Sequence, residues 1–318
     1  MLLYKPASYS ETISIYVIIC QDTAIHTKEN IMPHINDLTP QARELLSGSI
    51  DIHVHASPDP FAERKMDARE TIAAAQEAGM GGVVLKSHEY PTQPLAWALN
   101  SEFKDITVYG ALALDHPVGG LNPDALETAL RIGTKVVWWP TFDAKWSRDT
   151  FGRWNSSAES ITILDEKNKL KKICHQLLDL MVEHDALLCS GHLSPDETLM
   201  LLTEAQNRKI RNVITHATSF NIPLEVQQKL ANKGSFIEQC GMPIFREDDE
   251  GKQAVQSMVD DIRSVGAEHV ILSTDLGQAS NPPPAVGFGY WIEHFINLGF
   301  SNEKILRMVN QNPKEAIG

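Results

Sequence analysis

The sequence predicts one α/β domain folded as a (β/α)8 TIM barrel, preceded by a short N-terminal extension. Eight short apolar segments alternate with helical patterns, and no two predicted strands follow each other without a helical pattern between them. This order is typical of parallel βα units that close into a barrel. A doubly wound open sheet is the alternative, but no glycine-rich phosphate loop follows the first strand.

The composition is ordinary for a globular protein with a large core. Of 318 residues, 42% are hydrophobic and 22% are charged. The formal net charge of -13 comes without any block of clustered lysine and arginine, so we expect no nucleic-acid partner. The cysteines show no CxxC spacing, which argues against a disulfide framework or a thiolate zinc site and favours a reducing cytoplasm: Cys20, Cys174, Cys189 and Cys240.

Residues 1–49 are predicted to form the extension and a lead-in helix, and residues 50–318 are predicted to form the barrel. The lead-in helix is TPQARELL, with Thr39 as its cap and Pro40 at its first position. The apolar run at residues 13–20 lacks a small-residue cleavage site, and no stretch approaches the roughly 18 apolar residues of a membrane span. We therefore expect neither a signal peptide nor a membrane partner.

The predicted strands are bounded by recognisable helix caps. Asp67 and Asn122 cap the helices that follow the first and third strands, and a glycine ends each of these helices. Ser194 and Glu197 form a capping box after the fifth strand. The eight strands are expected at residues 50–55, 81–88, 106–114, 135–140, 186–192, 211–216, 234–240 and 269–275.

Two connections are unusual. The longest, residues 141–160, leads to a helix predicted at residues 167–184 and carries Trp146, Phe151 and Trp154. A functional lid and a plain surface excursion are equally open for it. A proline-rich loop, NPPPAVGFG, follows the eighth strand, and two last helices are expected at residues 290–298 and 302–309.

The first strand ends in Asp51, His53 and His55, and the alternation of side chains along a strand predicts that all three point to one side. The HxH spacing alone is weak, because a chain with 12 histidines gives such a pair by chance rather often. The chain then supplies three further residues at the ends of the fifth, sixth and eighth strands, which strengthens the signal: His192, His216 and Asp275.

These five side chains, His53, His55, His192, His216 and Asp275, are expected to converge, since the carboxyl ends of barrel strands meet at one mouth. Imidazole nitrogens and a carboxylate suit a divalent transition metal, with zinc the commonest and iron, manganese or nickel as alternatives. A single strand-end histidine is more often a hydrogen-bonded core residue. Five such residues in five matching positions favour a metal centre of one or two ions.

With these residues the sequence resembles the amidohydrolase superfamily from Asp51 to Gly318. The matching features are HxH on the first strand, histidines on the fifth and sixth, aspartate on the eighth, and the closing segment EKILRMVNQNPKEAIG. The resemblance implies that His53, His55 and Asp275 bind a buried metal. It also implies that His192 and His216 bind a second metal or contact the substrate.

One feature departs from that pattern. Many two-metal members of the superfamily carry a carbamylated lysine or a glutamate at the end of the fourth strand, whereas this strand ends in WWPT. Lys86, on the same face of the second strand as Val84 and His88, is the candidate substitute, carbamylated or paired with a carboxylate. The alternative is that Lys86 binds substrate and never touches metal.

Several further residues are weaker candidates. His88 is an additional ligand in the alternative that the chain is similar to the polymerase and histidinol phosphatase family. Asp115 and His116 follow the third strand at the mouth, but a turn-forming aspartate and a surface histidine are the favoured interpretation. Glu238 is expected to orient a ligand histidine. The remaining histidines are expected to be structural or solvent-facing: His26, His34, His175, His184, His269 and His294.

The resemblance and the donor set together predict hydrolysis of an amide, lactam, lactone or ester of a small molecule. A metal in such a site lowers the pKa of bound water from 15.7 to about 7 and polarises the substrate carbonyl. Asp275 would move the water proton to the leaving group, and His192 or His216 would steady the oxyanion.

Other functions stay open at this stage. They are a metal-dependent non-oxidative decarboxylase, a phosphoesterase with three metals, and a non-catalytic metal-stabilised binding protein. A homo-oligomer is equally open. Loop cations near the mouth favour an anionic substrate, although such cations are usually just solvated: Arg64, Lys65, Lys145, Arg148 and Arg153.

Overall fold

The computed structural model describes residues 34–152 and 158–318. It contains eight strands: β1 (Ile50–Val54), β2 (Gly82–Leu85), β3 (Thr107–Ala113), β4 (Val136–Trp138), β5 (Leu187–Cys189), β6 (Asn212–Ile214), β7 (Phe236–Cys240) and β8 (Val270–Ser273). All pair in parallel and in chain order. The sheet closes where the Asp275 amide donates to the His53 carbonyl at 2.9 Å and the His55 amide donates to the Leu276 carbonyl at 2.8 Å. The predicted (β/α)8 barrel is confirmed.

Helices surround this barrel and use the caps that the sequence predicted. The Thr39 hydroxyl accepts from the Ala42 amide, and Asp67 and Ser194 both begin helices with capping boxes. The helices are α1 (Pro40–Leu46), α2 (Ala68–Glu77), α3 (Gln93–Glu102), α4 (Pro123–Arg131), α5 (Lys145–Phe151), α6 (Lys172–Glu183), α7 (Pro195–Asn207), α8 (Leu224–Ala231), α9 (Asp249–Val265), α10 (Pro284–Asn297), α11 (Asn302–Leu306) and α12 (Asn312–Ile317).

The apolar core has two layers, one between the strands and helices and one inside the barrel. Inside, alternate strand residues meet around the axis, and Ala316 and Ile317 of α12 join them. This packing makes the lower barrel a filled core, so that polar groups gather at the carboxyl ends of the strands. The interior strand residues include Ile50, Ile52, Val84, Val136, Trp138, Leu187, Val213 and Ile271.

The prediction that Asp51, His53 and His55 point to one side is wrong for Asp51. The pairing of β1 with β2 shifts register between Asp51 and Val54, as in a β-bulge, which re-aims the side chains beyond it. Ile52 therefore lies in the interior cluster, while Asp51 accepts from the amide and the hydroxyl of Thr274 at 3.1 and 2.6 Å. Only after the bulge do the two histidines face the mouth.

The long connection after β4 is not a continuous loop, since it contains α5. This helix begins after Ala144 without a side-chain cap, so the usual signal for a helix start is missing from the sequence there. The following helix α6 begins at Lys172, later than predicted. Trp154 and Arg153 lie outside the described residues.

The last part of the chain also differs in detail. Helix α10 begins at Pro284, inside the segment that the sequence predicted as a proline-rich loop. The helix predicted at residues 302–309 continues from α11 through a π-helical turn, Arg307–Gln311, into α12.

The lead-in helix α1 packs on the barrel. Leu45 and Leu46 belong to the outer core, and the Thr39 amide donates to Glu293 Oε1 of α10 at 2.9 Å. The apolar run at residues 13–20, Cys20 and His26 lie outside the described residues. Among the helices that the structure describes, none is long and apolar enough to cross a membrane.

Candidate metal centre

Five buried histidines form a closed ring at the carboxyl ends of the strands. In order around the ring, the centroid separations of neighbouring imidazoles are 5.4, 5.1, 5.8, 5.6 and 5.0 Å. No member is more than 5% exposed. The members are His53, His55, His88, His192 and His216, and we call them the histidine ring. The barrel thus brings together all four histidines predicted as metal ligands and adds His88.

Asp275 follows β8 and faces three of these imidazoles. Its Oδ1 lies 3.1 Å from both His53 Nε2 and His55 Nε2, and its Oδ2 lies 3.7 Å from His216 Nε2. Burial alone would raise the pKa of Asp275, but His53 and His216 hold that pKa well below its usual value. Asp275 and His216 both have positive φ, 55° and 50°, which is uncommon for residues other than glycine and frequent at functional sites.

Glu238 on β7 holds His53 from behind. Its Oε1 lies 3.0 Å from His53 Nδ1 and accepts from the Ser273 hydroxyl at 2.8 Å. Its Oε2 accepts from the His216 amide at 3.3 Å. Burial alone would raise the pKa of Glu238, but His53 lowers it to about 2. An ionised Glu238 therefore accepts a hydrogen bond from His53 Nδ1 and leaves Nε2 directed at Asp275, an arrangement that fits the positioning role expected of it.

Lys86 lies beside the same imidazole. Its Nζ is 2.9 Å from His53 Nε2 and 5.1 Å from the ring centre of Trp138. Burial lowers the pKa of Lys86, although Asp275 and Glu238 oppose that shift. The predicted position of Lys86 next to the candidate metal ligands agrees with this geometry, while β4 ends near it in Trp138 rather than in an acidic group.

Among the described residues, two overlapping groups of buried donors could hold a metal ion. One consists of His53, His55 and Asp275, and the other of His53, His216 and Cys240. Cys240 Sγ lies 3.9 Å from His53 Nδ1, the nitrogen that Glu238 already contacts. Burial also raises the pKa of the Cys240 thiol well above its usual value, which disfavours the thiolate. The first group is therefore the better candidate.

The donor atoms of that first group suit a divalent cation. Zinc–nitrogen bonds of about 2.0–2.1 Å place neighbouring ligands of a tetrahedral site roughly 3.3–3.5 Å apart. The separations of 3.1 Å from Asp275 Oδ1 to the two Nε2 atoms are close to that spacing. Burial, and then the charge of Arg64, lower the pKa of His55 to about 3, so this imidazole is neutral and has a lone pair to donate.

His88 belongs to a second network on the opposite side of the ring. Its Nδ1 lies 2.6 Å from the Thr141 hydroxyl, and that hydroxyl contacts Asp115 Oδ2. Asp115 Oδ1 accepts from the amides of Thr141 and Asp143 at 2.8 and 3.0 Å. Asp115 begins a turn, as interpreted, since its carbonyl accepts from the amides of Val118 and Gly120, but its side chain is fully buried and contacts the residues that follow β4.

Aromatic side chains form one wall of the ring. Phe142 stacks on His88 with a centroid separation of 3.9 Å, and Phe220 lies 4.8 Å from His192 and 4.7 Å from His216. Trp146 of α5 packs on Phe220 at 5.3 Å. The long connection after β4 therefore borders the candidate site and is not a detached surface excursion.

The other predicted residues lie elsewhere. The His116 side chain is directed at the Glu159 carbonyl, 2.6 Å away, and is not part of the ring. Arg64 is buried against Asp59 by two hydrogen bonds, of 2.9 and 2.7 Å, whereas Lys145 is exposed and pairs with Asp149. The remaining described histidines are partly or fully exposed, as expected: His34, His175, His184, His269 and His294.

Comparison with known protein families gives one match. The model of a family of unknown function, DUF6282, covers residues 48–238, from just before β1 to the middle of β7. That stretch is more than half of the chain. The chain belongs to the DUF6282 family. No curated protein sequence matches this DUF6282 protein significantly.

Solved structures share its fold at low sequence identity. An amidohydrolase from Pseudomonas aeruginosa aligns over 87% of this chain and 98% of its own, with 12% identity and a TM-score of 0.62. A probable 2-pyrone-4,6-dicarboxylic acid hydrolase from Acinetobacter baumannii, with citric acid bound, aligns over 86% and 100%, with 14% identity and a TM-score of 0.57. A 2,6-dihydroxybenzoate decarboxylase from Rhizobium aligns over 85% and 98%, with 11% identity and a TM-score of 0.52. The resemblance to the amidohydrolase superfamily is confirmed at the level of the fold.

The sequence left Asp115 only as a weaker candidate and gave no signal that Thr141 is part of the site. Both follow a strand directly, so the rule that selected His192 and His216 also applies to them. Their polar groups lie behind His88 rather than in the mouth itself, and this arrangement depends on the adjacency of β3 and β4.

Proposed function

We propose that this DUF6282 protein is a metal-dependent hydrolase that cleaves an amide, lactam, lactone or ester bond of a small molecule. The observation that carries the proposal is the convergence of His53 Nε2 and His55 Nε2 on Asp275 Oδ1, with all three residues buried. His53, His55 and Asp275 would hold a first divalent ion, for which zinc is the natural choice. Lys86, His192 and His216 would serve a second ion or the substrate.

The side chains have separate roles in such a reaction. When bound, a divalent ion supplies an acidified water and polarises the carbonyl of the substrate. Asp275, ionised and in contact with three imidazoles, would take the proton of the attacking water and give it to the leaving group. Burial lowers the pKa of His216 to about 4, so this neutral imidazole can donate a hydrogen bond to the developing oxyanion, as can His192.

Metal removal tests the proposal directly. We expect the purified full-length protein to carry zinc, to lose turnover on a panel of lactones, lactams, amides and esters after dialysis against dipicolinate, and to regain it when zinc is added back. His175→Gln, which changes a partly exposed histidine of α6 outside the mouth, is the matched control and should behave as the wild type. Turnover that survives complete metal removal would contradict the proposal.

Asp275→Asn tests the proton transfer. General acid–base catalysis contributes typically 10²–10⁴-fold, so we expect kcat to fall by at least about 100-fold. Zinc content should be measured in the same preparation, because Asp275 is also a candidate ligand. An Asp275→Asn variant that holds zinc and turns over at the wild-type rate would remove Asp275 from the role of base.

Lys86 is proposed to bridge two ions as a carbamate. The Lys86 ammonium would first lose one proton. Its neutral amine would then combine with carbon dioxide, forming a nitrogen–carbon bond and releasing a second proton, so that a cation becomes an anionic ligand. Support comes from its position 2.9 Å from His53 Nε2 and from the burial that lowers its pKa. In the full-length protein with added zinc and ¹³C-bicarbonate, we expect one protein-bound carbamate carbon signal that is missing from Lys86→Met.

Lys86→Met should also bind less zinc per chain than the wild type. Unchanged zinc content together with no carbamate signal would exclude the bridging role and leave Lys86 as a substrate-binding cation. The hydrolase proposal itself would survive that outcome, because the first metal group does not include Lys86.

A non-oxidative decarboxylase is the second candidate, favoured by the fold shared with the Rhizobium 2,6-dihydroxybenzoate decarboxylase. His53, His55 and Asp275 would then hold the ion against a substrate carboxylate, and Arg64 and Lys86 would supply positive charge nearby. Release of carbon dioxide from an aromatic or unsaturated acid, without hydrolysis product, would distinguish it. Activity confined to aryl phosphates would favour a phosphoesterase instead.

A further inference from the structure

The hydrogen-bond pattern behind His88 determines where its imidazole hydrogen lies. Thr141 has one hydroxyl hydrogen, and its Oγ1 contacts both Asp115 Oδ2 and His88 Nδ1. An ionised carboxylate can only accept hydrogen bonds, so the hydroxyl hydrogen points at Asp115. The Thr141 oxygen must then accept from His88, which requires that His88 carries its hydrogen on Nδ1.

Asp115 is built to stay an acceptor. Its Oδ1 accepts from the amides of Thr141 and Asp143, and its Oδ2 takes the hydroxyl of Thr141. Burial raises the pKa of Asp115 above its usual value, and the three donors directed at the carboxylate oppose that rise because they favour its charged form. The donors are fixed by the backbone immediately after β4, so the orientation of Asp115 is set by the fold.

The other nitrogen of His88 is left available. His88 Nε2 makes no hydrogen bond to any residue that the structure describes, and it is not among the fully buried polar atoms. The His88 imidazole lies between Phe142 and His55, with centroid separations of 3.9 and 5.1 Å. With the hydrogen on Nδ1, Nε2 carries a lone pair at the mouth beside the candidate metal ligands.

We propose that Asp115 and Thr141 are positioning residues that lock His88 in the Nδ1–H tautomer, so that His88 Nε2 accepts a hydrogen bond from an N–H or O–H group of the substrate. The contact between this lone pair and a substrate rests on the proposed hydrolytic function. The assignment of the tautomer does not depend on that function. The substrate would then carry a hydrogen-bond donor next to the bond that is cleaved, such as a free amide N–H or a hydroxyl.

His88 acts here as a substrate-binding residue and not as a ligand. The groups of donors that come within metal-binding reach of one another among the described residues include His53, His55, His216, Cys240 and Asp275 but not His88. Its neighbour His55 faces Asp275 through Nε2, whereas His88 faces Thr141 through Nδ1. Two stacked imidazoles therefore serve different partners.

The tautomer is measured by long-range ¹H–¹⁵N NMR on the full-length protein with ¹⁵N-labelled histidine. The two ring nitrogens have distinct shifts when protonated and unprotonated, and the His88 signals are assigned by their loss in His88→Gln. We expect a protonated Nδ1 and an unprotonated Nε2 in the wild type and in Thr141→Ser, which keeps the hydroxyl. Thr141→Val removes the acceptor, and the His88 signals should shift towards a mixture of tautomers.

Asp115→Asn gives the sharpest result. The two backbone amides hold the amide oxygen at the Oδ1 position, so the NH2 group faces Thr141 and donates to it. The Thr141 hydroxyl hydrogen then turns to His88 Nδ1, and we expect the tautomer to reverse to Nε2–H. A wild-type protein with hydrogen on Nε2, or an Asp115→Asn protein with an unchanged tautomer, would overturn the proposal.

Zinc titration of the labelled protein separates this result from the proposed function. Zinc should shift the ¹⁵N signals of His53 and His55. The ¹⁵N shift of His88 Nε2 should stay that of an unprotonated nitrogen without a bound metal. A metal-type shift at His88 Nε2 would make it a ligand and overturn the substrate-binding role. If no histidine responds to zinc but the tautomer is as expected, the metal-dependent function fails while the lock on His88 stands.

Discussion

On two sides of the histidine ring, a buried carboxylate orients a histidine through its Nδ1 atom. The contact is direct on one side and passes through a hydroxyl on the other. On the β1 side, Glu238 contacts His53 Nδ1 directly at 3.0 Å. On the β2 side, Thr141 stands between His88 Nδ1 and Asp115. The carboxylates are equally buried, with Glu238 at 1% exposure and Asp115 at 0%. The difference lies in the inserted hydroxyl.

Because of the inserted hydroxyl, His88 is oriented without direct contact with a negative charge, whereas His53 is oriented by such a contact. Burial and Lys86 act to lower the pKa of His53, but Asp275 and Glu238 overcome them and raise it. Burial lowers the pKa of His88 well below its usual value, and Lys86 adds to that shift. Both imidazoles are oriented, yet only His53 lies between two negative charges. A site next to two carboxylates suits a cation, and a neutral oriented imidazole suits a polar substrate.

The strongest test of this comparison uses the stacked pair His55 and His88, whose ring planes are tilted by 19°. His55→Ala should lose zinc affinity by more than the 10–100-fold typical of residues that only orient a ligand, because it removes a donor atom. His88→Ala should keep wild-type zinc affinity. Competition with a chromophoric chelator measures both, and equal losses in the two variants would show that the ring is not divided as described.

Glu238→Gln should have an intermediate effect. The neutral amide keeps the shape of Glu238 but removes a negative charge and places an NH2 group against a donor, either the Ser273 hydroxyl or the His216 amide. We expect zinc affinity to fall about 10–100-fold with the fold retained. Asp115→Asn is the matched control on the other side of the ring, and zinc affinity that falls equally in both variants would contradict the comparison.

Much of the barrel and of the ring followed from the sequence. Strand-end position identified His53, His55, His192, His216 and Asp275, because parallel strands of a barrel bring their carboxyl ends together regardless of separation along the chain. Glu238 was also expected to orient a ligand histidine, and it contacts His53. These predictions needed only the order of the strands and the alternation along each one.

The features that were missed depend on contacts between strands. Asp51 turns away because the register of β1 shifts against β2, and alternation within one strand carries no information about pairing. Helices α5 and α10 begin without side-chain caps, so the strongest signal for a helix start is missing there. The Asp115–Thr141–His88 network joins three neighbouring strands through one hydroxyl, and threonine after a strand has no distinctive pattern.

The smallest expected effect on metal binding comes from Asp115→Ala, which should instead lower stability. The change leaves the buried amides of Thr141 and Asp143 without their acceptor, at a cost of roughly 1–3 kcal/mol for each unsatisfied group. Urea unfolding should show a lower midpoint with an unchanged slope, since the exposed surface on unfolding is the same. Zinc affinity of the folded protein should match the wild type, because neither metal group includes a residue that contacts Asp115. Weaker zinc binding at full stability would mean that the two sides of the ring are coupled, and His88 would then have to be treated as part of the metal centre.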